Sequence, residues 1–233
     1  MTKLAKIVKS NSHVDYVARV VDELDADEPP GSEDYGFAQF VSVPLAEGEE
    51  AVGVVYDTQL ANPDYASFGP RLSSHAELKV LSPDFLHEQG VLLGILLVGW
   101  RVRAGSDGSD ASRDGGTQER AEGDGGPGGA ARIDATGGAW AGHQGVPRRV
   151  VPVGQDVLRM TDDEVLAFHR GADGPVRLHY FSTVVSHAGP FAVPLVEAVI
   201  AQLEPACGAA ERQRLCVLKK SLIWQRTLGQ LRL

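Results

Sequence analysis

Apolar and polar positions change rhythm along this chain, and the changes divide it into three stretches. In the first hundred residues, short apolar runs alternate with turn formers. Leu4-Ala5-Lys6-Ile7-Val8 gives way to polar Lys9-Ser10-Asn11-Ser12, and Tyr16–Val21 is rich in β-branched residues with partial alternation. Asp27-Glu28-Pro29-Pro30-Gly31 has the composition of a loop. Phe37–Val43 alternates well, Ala51–Tyr56 follows, and Val91–Trp100 is the most apolar run. Short strands punctuated by glycine and proline predict a small closed β-barrel or a sandwich.

A long excursion, residues 57–89, separates the last two of these strands. Asn62-Pro63 and Gly69-Pro70 mark loop backbone there. Two short helical turns are expected within it. One spans Ser73–Leu78, with Ser74 as N-cap and Glu77 as its capping-box partner; the other spans Ser82–His87, with Pro83 at the first helical position. Long excursions from a small barrel are common places for partner contact.

From about residue 103 to 144 the apolar rhythm stops. About a dozen glycines, several Asp and Ser residues and almost no large apolar side chains besides Trp140 fill this stretch. It buries too little to offset the entropy of ordering it, so a disordered linker is expected. About forty flexible residues have a root-mean-square span of roughly 35 Å.

Helical spacing dominates the remainder. After an extended passage from Gly145 to Met160, Thr161-Asp162-Asp163-Glu164 forms a capping box opening a helix that ends at Gly171. A second helix starts near Pro194, with Val196, Val199, Ile200 and Leu203 on one face. A third runs from about Ala209 to Leu231, with Leu215, Leu218 and Leu222 as its apolar stripe. The expected architecture is therefore α+β: a small closed β-barrel over residues 1–102, a disordered Gly-rich linker over 103–144 and a helical domain over 145–233.

Charge refines this picture. The 233 residues carry a net charge of -9, which argues against nucleic-acid binding through the whole surface. Seven carboxylates crowd between Asp22 and Asp34, whereas the stretch from Pro205 onward sets Arg212, Arg214, Lys219, Lys220, Arg226 and Arg232 against Glu211 alone. Arg212, Lys219 and Arg226 recur every seven residues, projecting three cations along one helix side over about 20 Å. They are the candidate nucleic-acid contacts, with a solvated face or an acidic protein surface as the alternatives.

Nothing in the sequence assembles a catalytic set. Lys220-Ser221 has no glycine-rich loop before it, so a phosphate-binding loop is not expected. Gly123-Asp124-Gly125-Gly126 lacks the flanking strand and helix of a dinucleotide fingerprint. The seven histidines show no zinc-ligand spacing, and the acidic cluster lacks the alternation and central glycine of a calcium loop. Two cysteines, Cys207 and Cys216, supply neither a disulfide framework nor a structural zinc site. No enzymatic activity, cofactor or metal is expected. Val91–Trp100 is about half the roughly twenty residues of a membrane-spanning helix, and the start shows no secretory leader, so a reducing cytoplasm and no membrane contact are expected.

Residues 53–100 carry a further pattern. Gly53-Val54-Val55-Tyr56-Asp57-Thr58, Asn62-Pro63, Phe68-Gly69-Pro70-Arg71-Leu72, Leu81-Ser82-Pro83-Asp84-Phe85-Leu86 and Leu93–Trp100 together resemble the HAS-barrel family. That small β-barrel stands at the N-terminus of HerA-type DNA-translocating ATPases and of rotary ATP synthase subunits. The likeness covers roughly the first hundred residues and includes no catalytic residue. It implies a docking module, since in HerA-type enzymes the barrel helps assemble the ring and receives the NurA nuclease during DNA-end processing. Here linker and helices stand where those enzymes have their ATPase domain, so ATP hydrolysis does not carry over. The expectation is a non-enzymatic adaptor for a HerA-like ATPase or NurA-type nuclease in DNA repair, with Asn62, Pro63, Gly69, Pro70 and Arg71 as partner-binding candidates. Homo-oligomerisation and direct DNA binding through the last helix are the other expected modes.

Overall fold

The structure, a computed structural model, describes residues 2–23, 25–61, 90–103, 140–170 and 174–230, with side chains described as far as residue 221. Five strands arise where apolar runs were expected: β1 (Lys3–Ser10), β2 (Asp15–Val20), β3 (Phe40–Ala46), β4 (Glu49–Ala61) and β5 (Gly90–Arg103). Two more, β6 (Trp140–Gln144) and β7 (Asp156–Arg159), follow. The helices are α1 (Asp162–Arg170), α2 (Phe181–His187), α3 (Ala192–Leu203) and α4 (Ala209–Gln230), with short 3₁₀ turns at Gly189–Phe191 and Glu204–Ala206.

Six strands close into an antiparallel barrel in the order β2-β1-β7-β3-β4-β5, and β5 pairs back to β2 from Leu92↔Arg19 to Leu96↔Asp15. The length of β5 makes this possible. Its first half pairs with β2, and its second half pairs with β6 from Gly99↔Gln144 to Arg103↔Trp140. The expected closed barrel is present. It is not built from the first hundred residues alone, however, because β7 bridges β1 and β3.

Two expected boundaries therefore move. Arg103 ends β5, and Trp140–Gln144, assigned to the linker from composition, form a strand of the sheet. Residues 104–139, the rest of the expected linker, lie outside the described residues, as do 62–89 with their two expected helical turns.

Burial explains why a helical layer is needed. β2 buries alternate positions, Tyr16, Ala18 and Val20, as a one-sided strand does. Phe40–Val43, Ala51–Val55 and Ile95–Val98 are buried without alternation, so both faces of those strands are covered. One face looks into the barrel and α1, α2 and α3 close over the other, making one continuous core with no separate helical domain. Phe40, Phe168, Tyr180, Leu195 and Ile200 all belong to that single cluster.

Two glycines allow the close approach. A Cβ on Gly99 would collide with the carbonyl of His143 on β6 and with the Phe168 ring, and one on Gly142 would lie 3.0 Å from the Phe168 backbone. α1 thus sits directly on the β5–β6 ribbon. Its start follows the expected capping box: the Thr161 amide donates to Glu164 at 2.8 Å, and the Glu164 amide donates back to the Thr161 hydroxyl at 3.4 Å. The predicted face of α3 is buried as expected at Val196, Val199, Ile200 and Leu203. On α4, Leu215 is buried and Leu218 packs against the core.

Candidate functional site

The interior carries polar clusters, and their partners define what they do. Arg101 on β5 is 3% exposed, with its guanidinium clamped between Glu50 on β4 at 2.7 Å and Glu164 on α1 at 2.8 Å. Its face lies 4.6 Å from the centre of the Trp140 ring, a cation–π contact with β6. One cation thus ties barrel, appended strand and first helix together. Arg101 and the hydrogen bond from the Thr161 amide hold the Glu164 carboxyl below its usual range against the opposing effect of burial. With both carboxylates engaged by one fork, this is a structural lock, not a site offering an unused acid or base.

His169 on α1 is the second cluster. It is 1% exposed and packed edge-on against Phe40 at 5.1 Å. One ring nitrogen, Nδ1, lies 2.7 Å from the Val165 carbonyl and can only donate there. Nε2 then accepts from the Tyr180 hydroxyl at 2.8 Å, and the pair is satisfied with a neutral imidazole. Burial pushes the imidazole pKa down to about 4, against a smaller opposing effect of the Val165 carbonyl. At the barrel mouth Tyr56 donates to Asp15 at 2.9 Å; burial and that carboxylate push its phenol up. Among the described residues, no group of three or more His, Cys, Asp or Glu side chains is placed to hold a metal. Burial raises the Cys207 thiol, and Cys216 is exposed.

The surface has features of another kind. Residues 33–39 run across the outside of α3 and leave a groove of about 230 Å³ lined by Glu33, Phe37, Ala38, Gln39, Ala198 and Gln202. Sequence alternation predicted a strand from Phe37, but Ala38 adopts φ 67° and the strand begins only at Phe40. The kink is held by the Ala38 amide donating to Val55 at 2.8 Å and by the Gln39 side chain donating to the Phe40 and Met160 carbonyls. A left-handed alanine is unfavourable and persists only where its surroundings fix it. The consequence here is that Phe37 turns outward, 45% exposed, and meets Phe191, 41% exposed, at 6.2 Å between ring centres.

The acidic stretch that precedes Phe37 divides in two. Asp22 and Asp25 pair with Arg19, and Asp34 pairs with Arg159. Glu23, Asp27, Glu28 and Glu33 remain exposed.

The expected contact residues have mixed fates. Asn62, Pro63, Gly69, Pro70 and Arg71 lie outside the described residues, directly after the last residue of β4. On α4, Arg212 is exposed with its Nε donating to the Cys207 carbonyl at 2.9 Å, and Lys219 is half-buried. The Arg226 side chain is outside the described set. Arg214 and Lys220, which the seven-residue spacing passed over, are exposed on this helix as Arg212 is. Glu211 is held at the helix start by the Gly208 and Val176 amides and by Arg170, and these hydrogen bonds lower its carboxyl.

A family model covers residues 1–116 and 128–232, thus both the barrel and the helices that close over it. The chain belongs to the family described as Domain of unknown function (DUF8166). That match runs through β7 and α1–α4, in keeping with the single core that joins them to the barrel. No curated protein matches the chain. No helix among the described residues is long and apolar enough to cross a membrane.

Proposed function

We propose that this chain is a non-enzymatic docking module that holds a HerA-like DNA-translocating ATPase or a NurA-type nuclease in DNA-end processing. The HAS-barrel resemblance supplies the partner class. The observation that carries the reading is the placement of the residues bearing that resemblance. Gly53–Tyr56 and Leu93–Trp100 lie on the paired β4 and β5 of a closed antiparallel barrel. The two strands stay paired out to Ala61↔Gly90, and Leu60 is 82% exposed near the tip. Residues 62–89, which include Asn62, Pro63, Gly69, Pro70 and Arg71, therefore connect the paired ends of β4 and β5, and segments joining strand ends are common places for recognition.

Affinity purification of the full chain from its native cells, read by mass spectrometry, is expected to recover such an ATPase or nuclease. Replacing Gly69, Pro70 and Arg71 together by serines is expected to abolish that recovery. If neither enzyme is recovered, the reading fails.

The exposed Arg214 and Lys220 favour a second reading, direct DNA binding through α4. Binding would then weaken steeply with salt, and an Arg214→Ala/Lys220→Ala variant would lower the salt slope by about 2. Affinity that is flat in salt removes it.

A further inference from the structure

The acidic side of the aromatic groove and the basic α4 have opposite charge, and one chain carries both. We propose that two copies of this chain associate reciprocally, the basic α4 of each lying along the Phe37–Phe191 groove of the other. This holds whether or not the adaptor reading is right.

The groove side is an exposed aromatic pair beside a small cavity with the exposed Glu33 in its lining, at the end of an acidic stretch that also exposes Glu28. The backbone kink at Ala38 that presents Phe37 is pinned by three hydrogen bonds, so the surface is preformed. The helix side is the face on which Val217, 63% exposed, stands between Arg214 and Lys220 at helical spacings of three. An apolar side chain flanked by cations suits an aromatic groove edged by the Glu33 carboxylate.

Charge also selects the occupant. Of the seven carboxylates from Asp22 to Asp34, three pair with Arg19 and Arg159. Glu23, Asp27, Glu28 and Glu33 remain exposed with no Lys or Arg in the stretch, whereas residues 205–233 have six cations and one carboxylate. Two copies placed in parallel register would repel at both patches, and reciprocal docking pairs them twice.

In this structure α4 packs away from the groove of its own chain. Buried Leu215 holds the first half of α4 on the core beside α3, while the groove opens on the α3 face bearing Ala198 and Gln202. The Arg214, Val217 and Lys220 side chains stand exposed on the described part of α4.

Sedimentation velocity on the full chain at low ionic strength tests this. A dimer is expected, with a dissociation constant that rises about tenfold or more in high salt. A Glu28→Lys/Glu33→Lys variant and an Arg214→Glu/Lys220→Glu variant change exposed residues only, and each alone is expected to be monomeric. Mixing the two in equal amounts restores the dimer, because every contact then joins opposite charges again. A Phe37→Ala/Phe191→Ala variant is expected to be monomeric at any salt, with circular dichroism verifying the fold of each variant. A wild-type chain that is monomeric throughout, a dimer indifferent to both charge reversals, or folded variants that stay monomeric on mixing would each overturn the proposal.

Discussion

An Arg101→Ala variant is expected to lose about 3–5 kcal/mol of stability, the range measured when one partner of a buried ion pair is removed. The reason is what remains behind. Glu50 and Glu164 are 12% and 16% exposed, and both converge on this one guanidinium. Without it two carboxylates face each other across a site that water barely reaches, and Trp140 loses the cation over its ring. Glu164 is also the capping-box acid of α1, so its displacement frays the helix that covers β5 and β6. In a domain of this size the loss corresponds to a drop in Tm of about 10 °C. Arg101→Lys keeps the charge but not the two-pronged geometry, and falls between. Urea unfolding at neutral pH decides it. A loss below about 1 kcal/mol would mean the cluster is solvated in solution and does not join α1 to the barrel.

The lock at Arg101 shows where sequence reading stops. The strands β1–β5 were legible because each is an apolar run bounded by turn residues, and the α1 cap was legible because a capping box is local. β7 was not. Asp156-Val157-Leu158-Arg159 has one fully buried residue, and only pairing with β1 and β3, both far away in sequence, makes it a strand. β6 was hidden for the same reason, its Trp-Ala-Gly-His-Gln lacking alternation altogether. Gly142 reads as linker by composition, yet the missing side chain is what admits Phe168. α2, with Val184 as its buried residue and no side-chain cap, carries little helical signal of its own.

The candidate surfaces were legible in kind more than in place. Charge asymmetry between the acidic loop and the last helix stands out in the sequence, and of the spaced cations Arg212 is exposed while Lys219 is half-buried; Arg214 and Lys220, off that spacing, are exposed too. Spacing shows which residues share a helix side and not which side a neighbouring helix covers. Phe37 looked like a strand residue because alternation continues through it. The left-handed turn at Ala38 depends on backbone and side-chain partners at Val55 and Met160, which no local pattern encodes. Its signal was weak but present: an aromatic next to Gly36, at the end of a charged loop.

Stability is expected to fall by about 3 kcal/mol as pH is lowered from about 6.5 to about 4, and His169 is the residue responsible. The imidazole is buried and neutral, donating to Val165 and accepting from Tyr180. A proton on Nε2 would lose the hydrogen bond from Tyr180 and place a charge among Phe40, Phe168 and Tyr180. In the unfolded chain the same imidazole titrates near its ordinary 6.5. Between that value and about 4 the unfolded state therefore binds a proton that the native state refuses, so acid favours unfolding. Below about 4 both states are protonated and this contribution levels off. Glu164, whose carboxyl is held low in the native state, adds a separate loss that begins only below its ordinary 4.5. The two are thus separable by window. A Tyr180→Phe variant removes the hydroxyl that Nε2 accepts from and costs about 1 kcal/mol at neutral pH, while the slope between pH 6.5 and 4 is expected to remain because desolvation, the main cause, is unchanged. Denaturant midpoints collected across that range for both proteins provide the check. A flat profile would mean that His169 is reached by water or carries its proton in the native state, and the contact of α1 with Phe40 would then be open rather than packed.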